Sequence, residues 1–230
     1  MLNNHEVISL HKIVPSYMQQ VPELIHGCFL CKPDSETEIL ARTANFSLIC
    51  DISPIVDGHL MITSNTHIGC SGEIDPMLRE EYLILKKVAG EIVKTAYGAA
   101  AYYEHGRAGH CSTIVNTAIK CDHFHLHVLP LKVSINSELE KLFIQMELEQ
   151  YSQIFQFFER YGSYLYFEDF SGHINIYPAS DSQVESHLLR TLICNKIGYP
   201  ERSNWETHTN LDLVNKAIEN YMPILNRLAK

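Results

Sequence analysis

A chain of 230 residues, 46% hydrophobic and 20% charged, can bury a core without disulfide or metal staples. Its net charge of −9 argues against nucleic acid or an anionic membrane surface as partner, and no stretch reaches the roughly 20 apolar residues of a membrane span. Seven scattered cysteines make a poor disulfide framework, and the N-terminus lacks the order of a signal peptide, so a cytoplasmic protein is expected.

Along the chain, the first feature is a Cys-x-x-Cys, Cys28 and Cys31 in "HGCFLCK". Alone it fits a redox pair, half a metal site or two unrelated thiols. Residues 46–52 ("FSLICDI") and 59–63 ("HLMIT") read as strands joined by "SPIVDG", a loop with Pro54 and Gly58. A long helix follows, with Asp75 as N-cap, Pro76 at its first position and Gly98 at its end. Leu78, Tyr82, Leu85, Ala89 and Ile92 recur at three- and four-residue steps and place one helix face on a core. Residues 99–104 form a strand, and a loop runs from Gly106 to about Ile119.

The run "CDHFHLHVLPLKV" comes next. Its strict alternation is that of a half-buried strand, so His123, His125 and His127 share one face and Phe124, Leu126 and Val128 the other. Imidazole suits metal ligation, acid–base work and nucleophilic attack. A structural zinc site takes four thiolate or imidazole ligands, and His67 and His123 are the candidates to join Cys28 and Cys31. His125 and His127 then remain for chemistry, with His59 at the start of its strand as a third member of the pocket. A rival reading uses the strand histidines as ligands of a metal-dependent hydrolase or oxygenase, with Asp122 beside them.

Beyond Ser134 the composition shifts. Residues 136–161 read as helical, 164–168 and 174–177 as short strands, and 182–197 and 209–229 as helices. No Pro/Gly/Ser-rich linker intervenes, so residues 134–230 are read as an extension packed on the core of residues 1–133. Phe and Tyr concentrate between 134 and 178, as core, as a dimer interface or as a wall for a nucleobase.

"HFHLHVL" resembles the His-φ-His-φ-His-φ-φ signature (φ apolar) of the histidine triad family of nucleotide hydrolases and transferases. "DISPIVDGHLMITSNTH" and the Cys-x-x-Cys resemble further family segments, in the family's order, across roughly residues 25–131. The resemblance implies an α+β fold with an antiparallel sheet, a long helix packed on it, and here a mixed C-terminal extension. It implies that His125 attacks the α-phosphorus of a nucleotide and forms a covalent nucleotidyl-imidazole, supported by His127 and His59. Asp51 would bind ribose hydroxyls, and Ile49 and Phe29 would line the base pocket. Cys28, Cys31, His67 and His123 would hold a structural zinc, with no coordination position left for substrate.

Lys120 stands where many members carry a small hydroxylated residue, and a lysine can bind phosphate as a point charge. The loop before the triad carries Arg107 and Asn116 as candidate substrate contacts, with Arg107 read as a clamp for polyphosphate or as a solvated loop arginine. The extension resembles that of a longer branch of the superfamily, in which Arg190 and Trp205 fall on a helix and a tryptophan motif; Arg190 is its candidate substrate contact. Substrates implied are a purine mononucleotide ester, a phosphoramidate or a dinucleoside polyphosphate. A dinucleoside polyphosphate phosphorylase and a nucleotide-binding protein without activity are the alternatives. Homodimers are common in the family and compatible with this chain.

Overall fold

The computed structural model describes residues 28–31, 39–109 and 123–228. Strands β2 (Phe46–Cys50) and β3 (Leu60–Ser64) pair antiparallel from Phe46 opposite Ser64 to Cys50 opposite Leu60, and every residue of both is buried. An additional strand, β1 (Ile39–Arg42), lies outside β2. Four residues with a register shift give too little alternation to read in advance.

The histidine strand is central. Of its residues, β5 (His125–Leu129) pairs with β3 on one side and with β4 (Ala101–Gly106) on the other. His123 precedes the regular pairing. Helix α1 (Arg79–Tyr97) begins one turn later than expected, because Pro76–Leu78 form a 3-10 turn. Asp75 caps that turn, its carboxylate accepting from the Met77 N–H at 2.8 Å. Gly98 ends the helix at φ 84, a left-handed conformation that favours glycine.

Tyr82, Leu85, Ala89, Ile92 and Val93 of α1 share one buried cluster with Phe124, Leu126 and Val128. Each such side chain stabilises the fold by roughly 1.5–3 kcal/mol when fully buried. This packing fixes the register of β5: the apolar side chains face α1, so the histidines face away from it.

The extension continues the same sheet. Strand β7 (Tyr164–Glu168) pairs along β4 from Tyr102 opposite Glu168 to Gly106 opposite Tyr164, followed by β8 (Ile174–Pro178) and β6 (Met146–Leu148). The eight strands run in the order β1-β2-β3-β5-β4-β7-β8-β6, with every neighbouring pair antiparallel, an α+β fold.

The helix expected over 136–161 is instead a single turn at Asn136–Leu139, strand β6, and helix α2 (Ile154–Tyr161). The open edge of β8 recruits Met146–Leu148 into the ladder, overriding their helical spacing. Gln150 and Gln153 then cap the next turn reciprocally. Helices α3 (Leu188–Lys196) and α4 (Leu211–Leu228) complete the extension.

A second buried cluster on the histidine face joins Tyr103, Leu129 and Leu165 to Leu189 and Ile193 of α3. Of the readings open for the aromatic residues, core is the one the structure bears out: Tyr151, Phe155, Tyr164, Tyr166 and Tyr177 are buried, and none lines the cavity described below as a nucleobase wall would. Among the described residues, no helix is long and apolar enough to cross a membrane.

Candidate active site

A cavity opens on the histidine face. β5 contributes His125 and His127, and β4 contributes Tyr103 and His105. Asp51, Ile52, Met61 and Leu30 line another side, while His187, Arg190 and Trp205 of the extension close it. Tyr103 was not singled out in the sequence. Its signal is the period of two in "AYYEHG", which puts it on one face of β4 with His105.

His125 donates its Nδ1 proton to the His123 carbonyl oxygen at 2.7 Å. That bond fixes the tautomer and leaves the ring's lone pair on Nε2. Next to it, His127 stacks on the Tyr103 ring at 4.1 Å and 7° and bonds through Nδ1 to His59 Nε2 at 2.9 Å. Burial pushes His59 down to about 4, against the opposing pull of Asp51. Burial likewise holds His127 well below the usual range, and sets His105 and His187 at about 4. These rings are neutral near pH 7.

Asp51 is buried, and both of its oxygens are engaged. Oδ1 accepts from the Ser53 N–H at 2.8 Å, and Oδ2 accepts from Arg190 Nη1 at 3.2 Å. Oδ2 also lies 3.3 Å from His59 Nδ1. Asp51, His59 and His127 cluster closely enough to consider a cation. The Arg190 guanidinium already neutralises that carboxylate, and a second cation beside it would be repelled.

The other cluster is a better metal site. Cys28 Sγ lies 3.5 Å from His123 Nδ1, and Cys31 Sγ lies 3.4 Å from His123 Nδ1 and 3.3 Å from His67 Nδ1. Ligand atoms of a tetrahedral zinc stand about 3.5 Å apart for such sulfur–nitrogen pairs, given the usual bond lengths. His123 Nε2 bonds the Ser64 carbonyl at 2.8 Å, which turns Nδ1 towards the sulfurs. Burial pushes the Cys28 thiol up to about 12, a cost that a bound cation would reverse. The four residues could hold a metal ion.

Other sequence candidates fall elsewhere. Ile49 packs with Leu30 and Met61 in a small apolar cluster behind the cavity. Arg107 does not line the cavity: it pairs with Glu73, near Gly69, and its half-exposed side chain is turned away from the place a polyphosphate clamp would need. Lys120, Asn116, Asp122 and the Phe29 side chain lie outside the described residues. His187 gave no signal in the sequence. It precedes α3 at φ 58, and its Nε2 is buried without a hydrogen-bond partner among the described residues.

No protein-family model and no curated protein matches the chain. Solved structures do. A HIT family hydrolase from Clostridium thermocellum is 21% identical, covering 46% of this chain and 91% of that one at a TM-score of 0.34. A hypothetical histidine triad nucleotide-binding protein from Sulfolobus tokodaii is 22% identical, covering 45% and 68% at a TM-score of 0.32. A Hit-like protein involved in cell-cycle regulation from Bartonella henselae is 15% identical, covering 47% and 81% at a TM-score of 0.32. Over about half its length, the chain is similar to solved histidine triad proteins.

Proposed function

We propose that this protein is a histidine triad nucleotidyl hydrolase or transferase that cleaves its substrate at the α-phosphate. The observation that carries the reading is the 2.7 Å bond from His125 Nδ1 to the His123 carbonyl, made at the wall of a cavity. It prepares Nε2 of a ring at the cavity wall as a nucleophile. In the first step Nε2 forms a bond to the α-phosphorus, and the bond to the leaving group breaks with its electron pair. Water or another acceptor then displaces the imidazole and releases the nucleoside monophosphate or its transfer product. The apolar side chains of Leu30, Ile52 and Met61 offer a surface for the base. Zinc suits the Cys28, Cys31, His67 and His123 set, in a structural role with four protein ligands.

The test is a panel of a purine nucleoside phosphoramidate, a mononucleotide ester and a dinucleoside polyphosphate, with and without inorganic phosphate. Intact mass after acid-free quenching should detect a nucleotidyl adduct on the wild type. Phosphate-dependent release of nucleoside diphosphate would identify a phosphorylase. Nucleotide binding without adduct or turnover would replace the enzyme by a binding protein.

A further inference from the structure

Asp51 and Arg190 stand 139 positions apart, and the contact between them reaches from the extension into the triad. Arg190 is 4% exposed. Its Nη1 holds Asp51, its Nη2 donates to the carbonyl and hydroxyl oxygens of Ser53, and its Nε donates to the Arg202 carbonyl at 2.8 Å. Such a committed guanidinium is poorly placed to clamp phosphate. The same loop is held at three further points. Arg202 Nη1 donates to the Ile55 carbonyl at 2.6 Å, the Ser53 hydroxyl to the His208 carbonyl at 2.7 Å, and the Asn210 N–H to the Ile52 carbonyl at 3.0 Å.

Residues 51–55 in turn face His59. Its Nδ1 has two neighbours with opposite demands: the Ile55 N–H at 3.2 Å, which needs a bare nitrogen, and Asp51 Oδ2 at 3.3 Å, which attracts a proton. The choice passes along the pair. With Nδ1 bare, His59 donates from Nε2 to His127 Nδ1, and His127 carries its own proton on Nε2. With Nδ1 protonated, the bond reverses and His127 Nε2 becomes an acceptor. Only the first arrangement lets His127 donate to a phosphate oxygen.

We propose that Arg190 is a positioning residue: by occupying Asp51 it keeps the proton of His59 on Nε2 and so makes His127 a hydrogen-bond donor to the substrate phosphate. Asp51 thereby serves His59 rather than ribose. The groups around the pair act consistently. Asp51 alone favours a proton on His59, whereas Arg190 and His125 oppose it, and His127 meets Arg190, His125, His59 and His105 with Tyr103 stacked on its ring. The donor role of His127 rests on the catalytic reading above; the tautomer of the pair does not.

The experiment is a nitrogen-15 and proton NMR titration of histidine-labelled full-length protein as wild type, Arg190→Gln and Arg190→Lys. Wild type should show His59 protonated on Nε2 and both rings neutral at pH 7. In Arg190→Gln the pair should take up a proton about one to three pH units higher, the range for loss of a neighbouring charge. Arg190→Lys should stay close to wild type. The acid limb of kcat/KM should move upward by the same amount in Arg190→Gln, whereas a merely structural role would lower activity evenly across pH. A wild-type proton on Nδ1, or an unchanged titration in folded Arg190→Gln, overturns the proposal. If Arg190→Gln does not fold, the wild-type tautomer decides. The NMR shift without any turnover would leave the tautomer control standing and remove the enzyme reading instead.

Discussion

His123 and His125 are joined by one 2.7 Å bond from ring Nδ1 to backbone carbonyl, so the residue that closes the candidate metal cluster also orients the proposed nucleophile beside it. His125→Asn removes the nitrogen proposed to attack while leaving the apolar face of β5 intact. Turnover should fall by about a thousandfold or more, and nucleotide affinity should change little. Steady-state rates and calorimetric binding check this; a variant with more than a tenth of normal activity would show that another group attacks.

The same bond would couple a metal at the Cys/His cluster to the proposed chemistry. Cys28→Ser removes one of the four candidate ligands, so metal content should fall together with thermal stability. Turnover should fall further than unfolding accounts for, because His123 then loses its anchor and His125 its fixed tautomer. Elemental analysis, calorimetry and rates on the same samples provide the check. Full metal content with unchanged stability would remove the site from the account.

Acid should weaken the fold. His59, His105 and His187 stay neutral to about 4, whereas unfolded histidines take up protons from about pH 6.5. Stability present above pH 6.5 is therefore lost as pH falls towards 4, because the unfolded state binds more protons there. Calorimetry should show the Tm dropping by several degrees per pH unit in that window, with metal content followed in parallel. A flat Tm between pH 7 and 5 would mean the three rings are hydrated or charged in the folded state.

Glu104 works in the opposite direction. Burial raises it to about 7, against hydrogen bonds from Ser71 and Tyr164. The folded state keeps this proton up to about pH 7 while the unfolded chain releases it from about 4.5, so its stabilisation is complete below 4.5 and lost as pH rises to 7. Glu104→Gln preserves the shape and removes the titration. The variant should gain on wild type above pH 7, by about 1–3 kcal/mol from the avoided buried charge. Denaturant unfolding at pH 5 and 8 checks it, and an equal difference at both would refute the assignment.

Local patterns made much of the fold and site legible. The period of two in "HFHLHV" set which side chains meet α1, and Asp75, Pro76 and Gly98 bounded the helix region to within a turn. The Cys-x-x-Cys, His67 and His123 were readable as a ligand set, and they do converge. By contrast, β1 and β6 were not legible, because short edge segments take their conformation from the strand they pair with. The direction of Arg107 was equally hidden. Its sequence position put it near the loop, but only packing shows it turned to Glu73.

The sequence by itself determined the histidine face, its separation from the apolar face, and the chemical inventory of both clusters. All of these follow from side-chain direction along a strand and from residue type. Tertiary structure alone decided how the extension helps to build the site. Its strand β7 prolongs the sheet from β4, and its Arg190 reaches Asp51 across 139 positions. No periodicity encodes such a contact. It exists because the sheet order brings α3 over the histidine face, where a buried carboxylate needs a partner for its charge.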